Sequence, residues 1–338
     1  MPQKPNFILK RYIVLVFLFT GLFCKGQEGI PVYWDYLTDN LYLLHPSMAG
    51  AANSNQVRLT ARQQWFDIED APNLYTAAIN GRVGDKVGLG GIIFSDENGN
   101  FSQRGAFATF AYHLLLSRNY IDLNQLSFGM SVGLLQNTLD ESSFDQTDFD
   151  PVITGGSQTD NYFNIDIGMS YYFLDFYAHA TVKNVLPRNR AIFTPQLEST
   201  NQRRYLASAG YVFGKYNSPW SYEPSLMLQA TDETQEVSID VNGKVYRKFD
   251  WGKLWGGLSY RRNLDGAQYL NGDGSITNQK SQYLTPFLGV TYGNFLVAYT
   301  YTQQRNELVI SNGFHQLTLG YDFGKRREQY ECNCPAIN

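Results

Sequence analysis

The sequence predicts an all-β fold, a transmembrane antiparallel β-barrel of about fourteen strands with both termini on the periplasmic side. Three observations predict it. Apolar and polar residues alternate with period two along most of the chain, the connections between alternating segments are short at one end and long at the other, and an export leader precedes them. Composition agrees: 43% hydrophobic but only 17% charged residues, with 24 Tyr, 22 Phe and 30 Gly, disfavour a helical bundle or coiled coil. A mean hydropathy of −0.32 means the apolar side chains are diluted by polar ones. The longest nearly uncharged apolar stretch, Tyr12 to Cys24, is shorter than the roughly 20 residues a membrane-spanning helix needs. A formal charge of −4 supplies no broad basic field, so nucleic acid is not an expected partner.

Residues 1–26 read as a cleaved signal peptide, because Lys4, Lys10 and Arg11 precede the apolar run Tyr12 to Phe23 and the segment Cys24-Lys25-Gly26. Cleavage is expected before Gln27. Cys24 as a lipid-bearing cysteine is the weaker reading, since the bulky Phe23 fits a lipobox poorly. Residues 27–54 follow as an N-terminal periplasmic or plug-like segment, 55–323 as the outer-membrane barrel and 324–338 as a periplasmic C-terminal tail.

Candidate strands lie near 55–66, 74–84, 86–96, 101–116, 124–137, 161–173, 175–185, 204–214, 222–231, 235–247, 252–262, 282–292, 295–304 and 313–323. The alternation is cleanest where Phe163, Ile165, Ile167, Met169, Tyr171 and Phe173 interleave with Asn164, Asp166, Gly168 and Ser170. Such a strand has one greasy and one wet face. Ile167 is then expected at the bilayer midplane and Asp166 at a tolerant wet position. The pattern recurs in Val57, Leu59 and Ala61 against Arg58, Thr60 and Arg62, and in Leu317, Leu319, Tyr321 and Phe323 against Gln316, Thr318, Gly320 and Asp322. It is noisiest over Val87 to Phe94, where three glycines intervene. Aromatics including Tyr171, Tyr172, Phe173, Tyr211, Phe213, Tyr260, Tyr321 and Phe323 crowd strand ends, as interfacial girdles do.

Tight connections centred on Gly84-Asp85, Leu174-Asp175 and Gly293-Asn294 follow even strands, whereas the long polar connections near 138–160, 186–203 and 263–281 follow odd ones. That is the rhythm of short periplasmic turns and longer outer loops. Lipid offers no hydrogen bonds to a strand edge, so the first strand must pair with the last.

Several segments resemble the PorP/SprF membrane proteins of the Bacteroidetes type IX secretion system. His45-Pro46-Ser47-Met48-Ala49-Gly50 looks like the family's Asn-Pro-Ala-Tyr-Ala-Gly, and Arg62-Gln63-Gln64-Trp65 with Ala71-Pro72 looks like its Arg-x-Gln-Trp and Gly-Ala-Pro run. Lys86 to Gly91, Asp96-Glu97-Asn98-Gly99, Leu258 to Arg261 and His315 to Phe323 are similar to its later segments. The departures are His45 for Asn, Asp70 for Gly, and the tail 324–338. The resemblance implies a non-enzymatic barrel in the cell outer membrane. It would support secretion, surface anchoring or function of a large secreted protein that carries a type IX C-terminal signal domain, such as a gliding adhesin. Its partners would be outer-membrane lipid, periplasmic and outer-membrane components of the secretion system, and that cognate protein.

A channel for small solutes is the alternative with the same composition. Catalysis has less support: His45, His113, His179 and His315 are dispersed, and HExxH, GxSxG and Walker motifs are absent. No catalytic residue, metal or cofactor is expected. Asp140, Glu141, Asp145, Asp148 and Asp150 read as a hydrated outer loop, because an EF-hand Gly and terminal Glu are missing. Partner binding is expected in the tail at Lys325, Arg326, Arg327, Cys332 and Cys334, a segment too short and polar to build a core; a frayed terminus is the alternative.

Overall fold

The computed structural model describes residues 34–64, 71–117, 122–142, 144, 155–187, 192, 201–214, 218–264, 267–270, 276–305, 313–324 and 337. The first half of the sheet comprises β1 (Asn55–Gln64), β2 (Asn73–Val83), β3 (Val87–Asn98), β4 (Phe101–Leu115), β5 (Asn124–Asp140), β6 (Ser157–Phe173) and β7 (Phe176–Lys183). It continues through β8 (Arg204–Tyr211), β9 (Trp220–Thr231), β10 (Val237–Phe249) and β11 (Gly252–Asn263). The hairpin β12 (Ala267–Leu270) and β13 (Ile276–Gln279) stands apart from the barrel wall, which is completed by β14 (Gln282–Tyr292), β15 (Phe295–Gln304) and β16 (Phe314–Phe323). Fourteen strands form a closed antiparallel barrel, and β12–β13 is a separate two-stranded sheet.

Closure runs from Asn55 opposite Phe323 to Gln64 opposite Phe314, so the edge expected to be costly in lipid is fully paired. The two-residue turns Leu174-Asp175 and Gly293-Asn294 sit at one rim, and Leu174 (φ 51) and Gly293 (φ 56) adopt the left-handed conformation that tight hairpins require. The barrel ends Asn55 and Phe323 share that rim. The strand ends that the long connections join lie at the opposite mouth.

The alternation sorts as expected. On β6, Phe163, Ile167 and Met169 face outward while Asn164, Asp166 and Ser170 are buried inside. Leu59 is exposed and Arg58, Thr60, Arg62 and Gln64 are buried on β1. The greasy surface therefore faces out and the polar surface in, as a lipid solvent demands. Around the short-turn rim, Phe173, Tyr211, Phe213, Tyr292, Phe295, Tyr321 and Phe323 form an exposed aromatic girdle. Tyr172 does not belong to it: one position out of step with Phe173, its ring points inward and is fully buried.

Candidate functional site: the filled lumen

The polar interior is occupied by the chain itself. Residues 34–53 carry three short 3-10 turns, Asp35–Thr38, Leu41–Leu43 and Pro46–Met48, and nearly every residue of the segment is buried. Extended His45 precedes Pro46, as a residue before proline prefers, and Pro46 opens the third turn. Gly50 closes the segment at φ 66.

The wall grips this plug through complementary side chains. Near the long-loop mouth, Trp34 packs between Tyr283 and Phe314 (ring centroids 5.5 and 5.6 Å) and beneath the Arg261 guanidinium, 4.1 Å from the ring. Arg261 is held by both oxygens of Asp240 at 2.5 Å, and Tyr36 donates its hydroxyl to Asp240 at 3.0 Å. Deeper, Lys244 donates to Asp39 at 2.8 Å and Tyr42 to Thr109 at 2.7 Å. His45 Nδ1 pairs with Thr181 Oγ1 at 2.8 Å, and the Ser47 and Ser170 hydroxyls meet at 2.6 Å.

Main-chain groups are held as well. Lys183 donates to the Leu43 carbonyl at 2.9 Å, His113 Nε2 lies 3.0 Å from the Ala49 carbonyl, and Arg82 donates to the Gly50 carbonyl at 2.6 Å. The Gly50 amide donates to Asn80 at 3.0 Å. A peptide segment that buries its backbone needs such partners.

Glycines on the wall make the room. A Cβ at Gly129 would stand 2.2 Å from the Ser47 amide nitrogen, and one at Gly88 1.9 Å from the Ala49 carbonyl oxygen. On the noisy third strand, Gly88 marks where the plug backbone approaches and Gly90 where the Tyr42 ring does, whereas Gly91 meets only the neighbouring strands.

Burial sets the electrostatics. It pushes the Asp35 carboxyl up to about 6, with the Arg62 charge partly offsetting it. The Tyr42 hydroxyl rises to about 12 through burial, against its bond to Thr109. His45 is held well below its ordinary range by burial and then by His179 and Lys183, so it is neutral near pH 7. A chamber of about 380 Å³ remains beside the plug at the long-loop end, lined among others by Asp35, Arg62, Asn73, Phe94 and Tyr162.

Of the four histidines dispersed in sequence, the structure brings two together and leaves two apart. His45 and His179 stack at 4.6 Å, His113 supports Ala49, and His315 lies beside Tyr301 on the barrel wall. Among the described residues no three His, Cys, Asp or Glu side chains converge. Asp166, expected to be tolerant, accepts the Asn184 amide at 2.9 Å and lies 3.4 Å from Lys183.

The tail residues Lys325, Arg326, Arg327, Cys332 and Cys334 lie outside the described residues, as do Trp65, Asp70, Asp145, Asp148 and Asp150 and the segment 1–33. Ile337 is described: it is buried in one apolar cluster with Ala49, Ala51 and Leu123, and its carbonyl accepts the Asn53 amide at 2.9 Å. Alternation along single strands announces the wall, but the wall-to-plug pairs join residues up to 280 positions apart, as in Thr38 and Thr318. The motif at 45–50 was the available signal for them.

Comparison with known proteins adds the following. The model of the family described as type IX secretion system membrane protein PorP/SprF matches residues 25–321. No curated protein matches the chain. Among solved structures, the CymD monoaromatic hydrocarbon channel is similar with a TM-score of 0.51 and 8% identity, over 87% of this chain and 95% of that one. The TodX monoaromatic hydrocarbon channel deltaS2 mutant has a TM-score of 0.47 and 10% identity, over 84% and 92%. At 8% identity the likeness to CymD is one of barrel fold alone.

Proposed function

Because the chain belongs to the PorP/SprF family of type IX secretion system membrane proteins, we propose that this outer-membrane barrel supports the secretion, surface anchoring or function of one large secreted protein with a type IX C-terminal signal domain, such as a gliding adhesin. It acts by binding and positioning, with no reaction assigned to it. Its short turns face the periplasm and its long connections the cell surface. The tail from Gly324 leaves the barrel at the periplasmic rim, where Lys325, Arg326, Arg327, Cys332 and Cys334 dock secretion components.

The observation that carries this reading over a small-solute channel is the filled lumen. Side chains from opposite walls meet on the plug, with Thr318 of β16 bound to Thr38 and Thr181 of β7 to His45. A porin keeps a water-filled path, and here that path is taken by residues held through their backbone.

The test is a deletion of the gene followed by two measurements on the same cells. Surface proteomics should show loss of one or a few secreted proteins with the C-terminal signal, and uptake of small aromatic and polar solutes should be unchanged. Normal surface display with reduced uptake would replace the reading with the channel.

A further inference from the structure

We propose that the plug is threaded from the long-loop mouth to the short-turn rim, so that the mature N-terminus leaves the barrel beside the long connections, opposite the C-terminal end of β16. The contacts run in order. Trp34 meets Tyr283 and Phe314, which begin β14 and β16 at the long-loop mouth. Tyr36 reaches Asp240, near the start of β10 at the same mouth, and Asp39 reaches Lys244 farther along that strand. Ser47 then meets Ser170, close to the Leu174-Asp175 turn. Gly50 is bonded to Asn80 and Arg82 beside the turn that opens β3, and Asn55 begins β1 at that rim.

The two barrel ends share one rim because the strand number is even, but the chain arrives at that rim through the lumen. With cleavage before Gln27, seven residues separate the mature start from Trp34. Fully extended they span at most about 25 Å, about the height of the apolar band. The direct way back through the barrel is filled by 34–53. The lock on this arrangement is the Trp34–Arg261–Asp240 stack, which is buried at the mouth. The consequence is that the chain enters the barrel at Trp34 from the mouth where a secreted partner is held. Only that last step, and the naming of the mouth as the cell-surface side, rest on the proposed function.

Three single-cysteine variants test the threading, each made in a Cys332→Ser, Cys334→Ser background: Gln27→Cys, Leu186→Cys at the long-loop mouth and Asn294→Cys at a short turn. Intact cells are treated with a membrane-impermeant maleimide, before and after permeabilisation of the outer membrane. Gln27→Cys should label from outside together with Leu186→Cys, and Asn294→Cys only after permeabilisation. Labelling of Gln27→Cys with Asn294→Cys instead, or only after denaturation, overturns the threading. If Leu186→Cys and Asn294→Cys exchange sides while Gln27→Cys still follows Leu186→Cys, the threading stands and the membrane orientation falls. Should Gln27→Cys disturb leader cleavage, an epitope placed between Glu28 and Gly29 and read by antibody on the same cells makes the same distinction.

Discussion

Arg261 and Asp240 are fully buried and bonded at both carboxylate oxygens, with Trp34 stacked on the guanidinium. Removing one partner leaves the other charge stranded, so Arg261→Met should cost about 3–5 kcal/mol of barrel stability. The double change Arg261→Met with Asp240→Leu should cost markedly less, as read by urea unfolding in lipid vesicles; equal losses would show that the pair is not coupled. Asp35 supplies a pH effect. Its folded-state value is raised to about 6 from 3.8 by burial, so the contribution of its neutral form is fully present below pH 3.8 and is lost as pH rises through 6. Asp35→Asn should therefore match the wild type at pH 4. Above pH 7 it should hold the plug more firmly, by on the order of 3 kcal/mol. Protease protection of residues 34–53 at the two pH values measures this, and a difference that does not change with pH would refute it. Of these residues, Arg261 was legible only as part of a family-like segment, because its partner lies on another strand and its aromatic face comes from the plug.

The strands were the most legible elements, because lipid outside and polar groups inside impose the same period-two pattern on each of them. Ile167 on β6 is 43% exposed on the outward face, and Ile167→Arg should cost about 2–4 kcal/mol at the bilayer midplane. Unfolding titrations that found no loss would place that face elsewhere. The structure moves Asp166 to the sensitive class, since its carboxylate is bonded to the Asn184 amide. Strand β3 resisted reading for a physical reason. Gly88 and Gly90 answer to the plug rather than to lipid, and nothing within the strand reveals what comes close to it. Gly129→Val on β5 should accordingly leave a heat-modifiable barrel while forcing the 45–50 segment off the wall, seen as a gain of protease sensitivity there. The hairpin β12–β13 stayed hidden in a connection because it is short and adds nothing to the barrel alternation.

For the whole molecule, the barrel is closed twice: around its circumference by β1 pairing with β16, and along its axis by residues 34–53. Deleting 34–53 while keeping the leader should leave a barrel that conducts ions in planar bilayers, whereas the intact protein should be silent; an intact protein of high conductance would remove the main support for a positioning role. The sequence by itself determined the fold class, the strands of the barrel wall, the inward and outward faces and the short-turn rim, because each follows from a solvent that acts on every residue locally. Only the tertiary structure decided what fills the lumen and in which direction the chain is threaded. Those outcomes depend on pairs such as Tyr36 with Asp240 and Lys244 with Asp39, which lie some two hundred residues apart and meet only when the sheet closes.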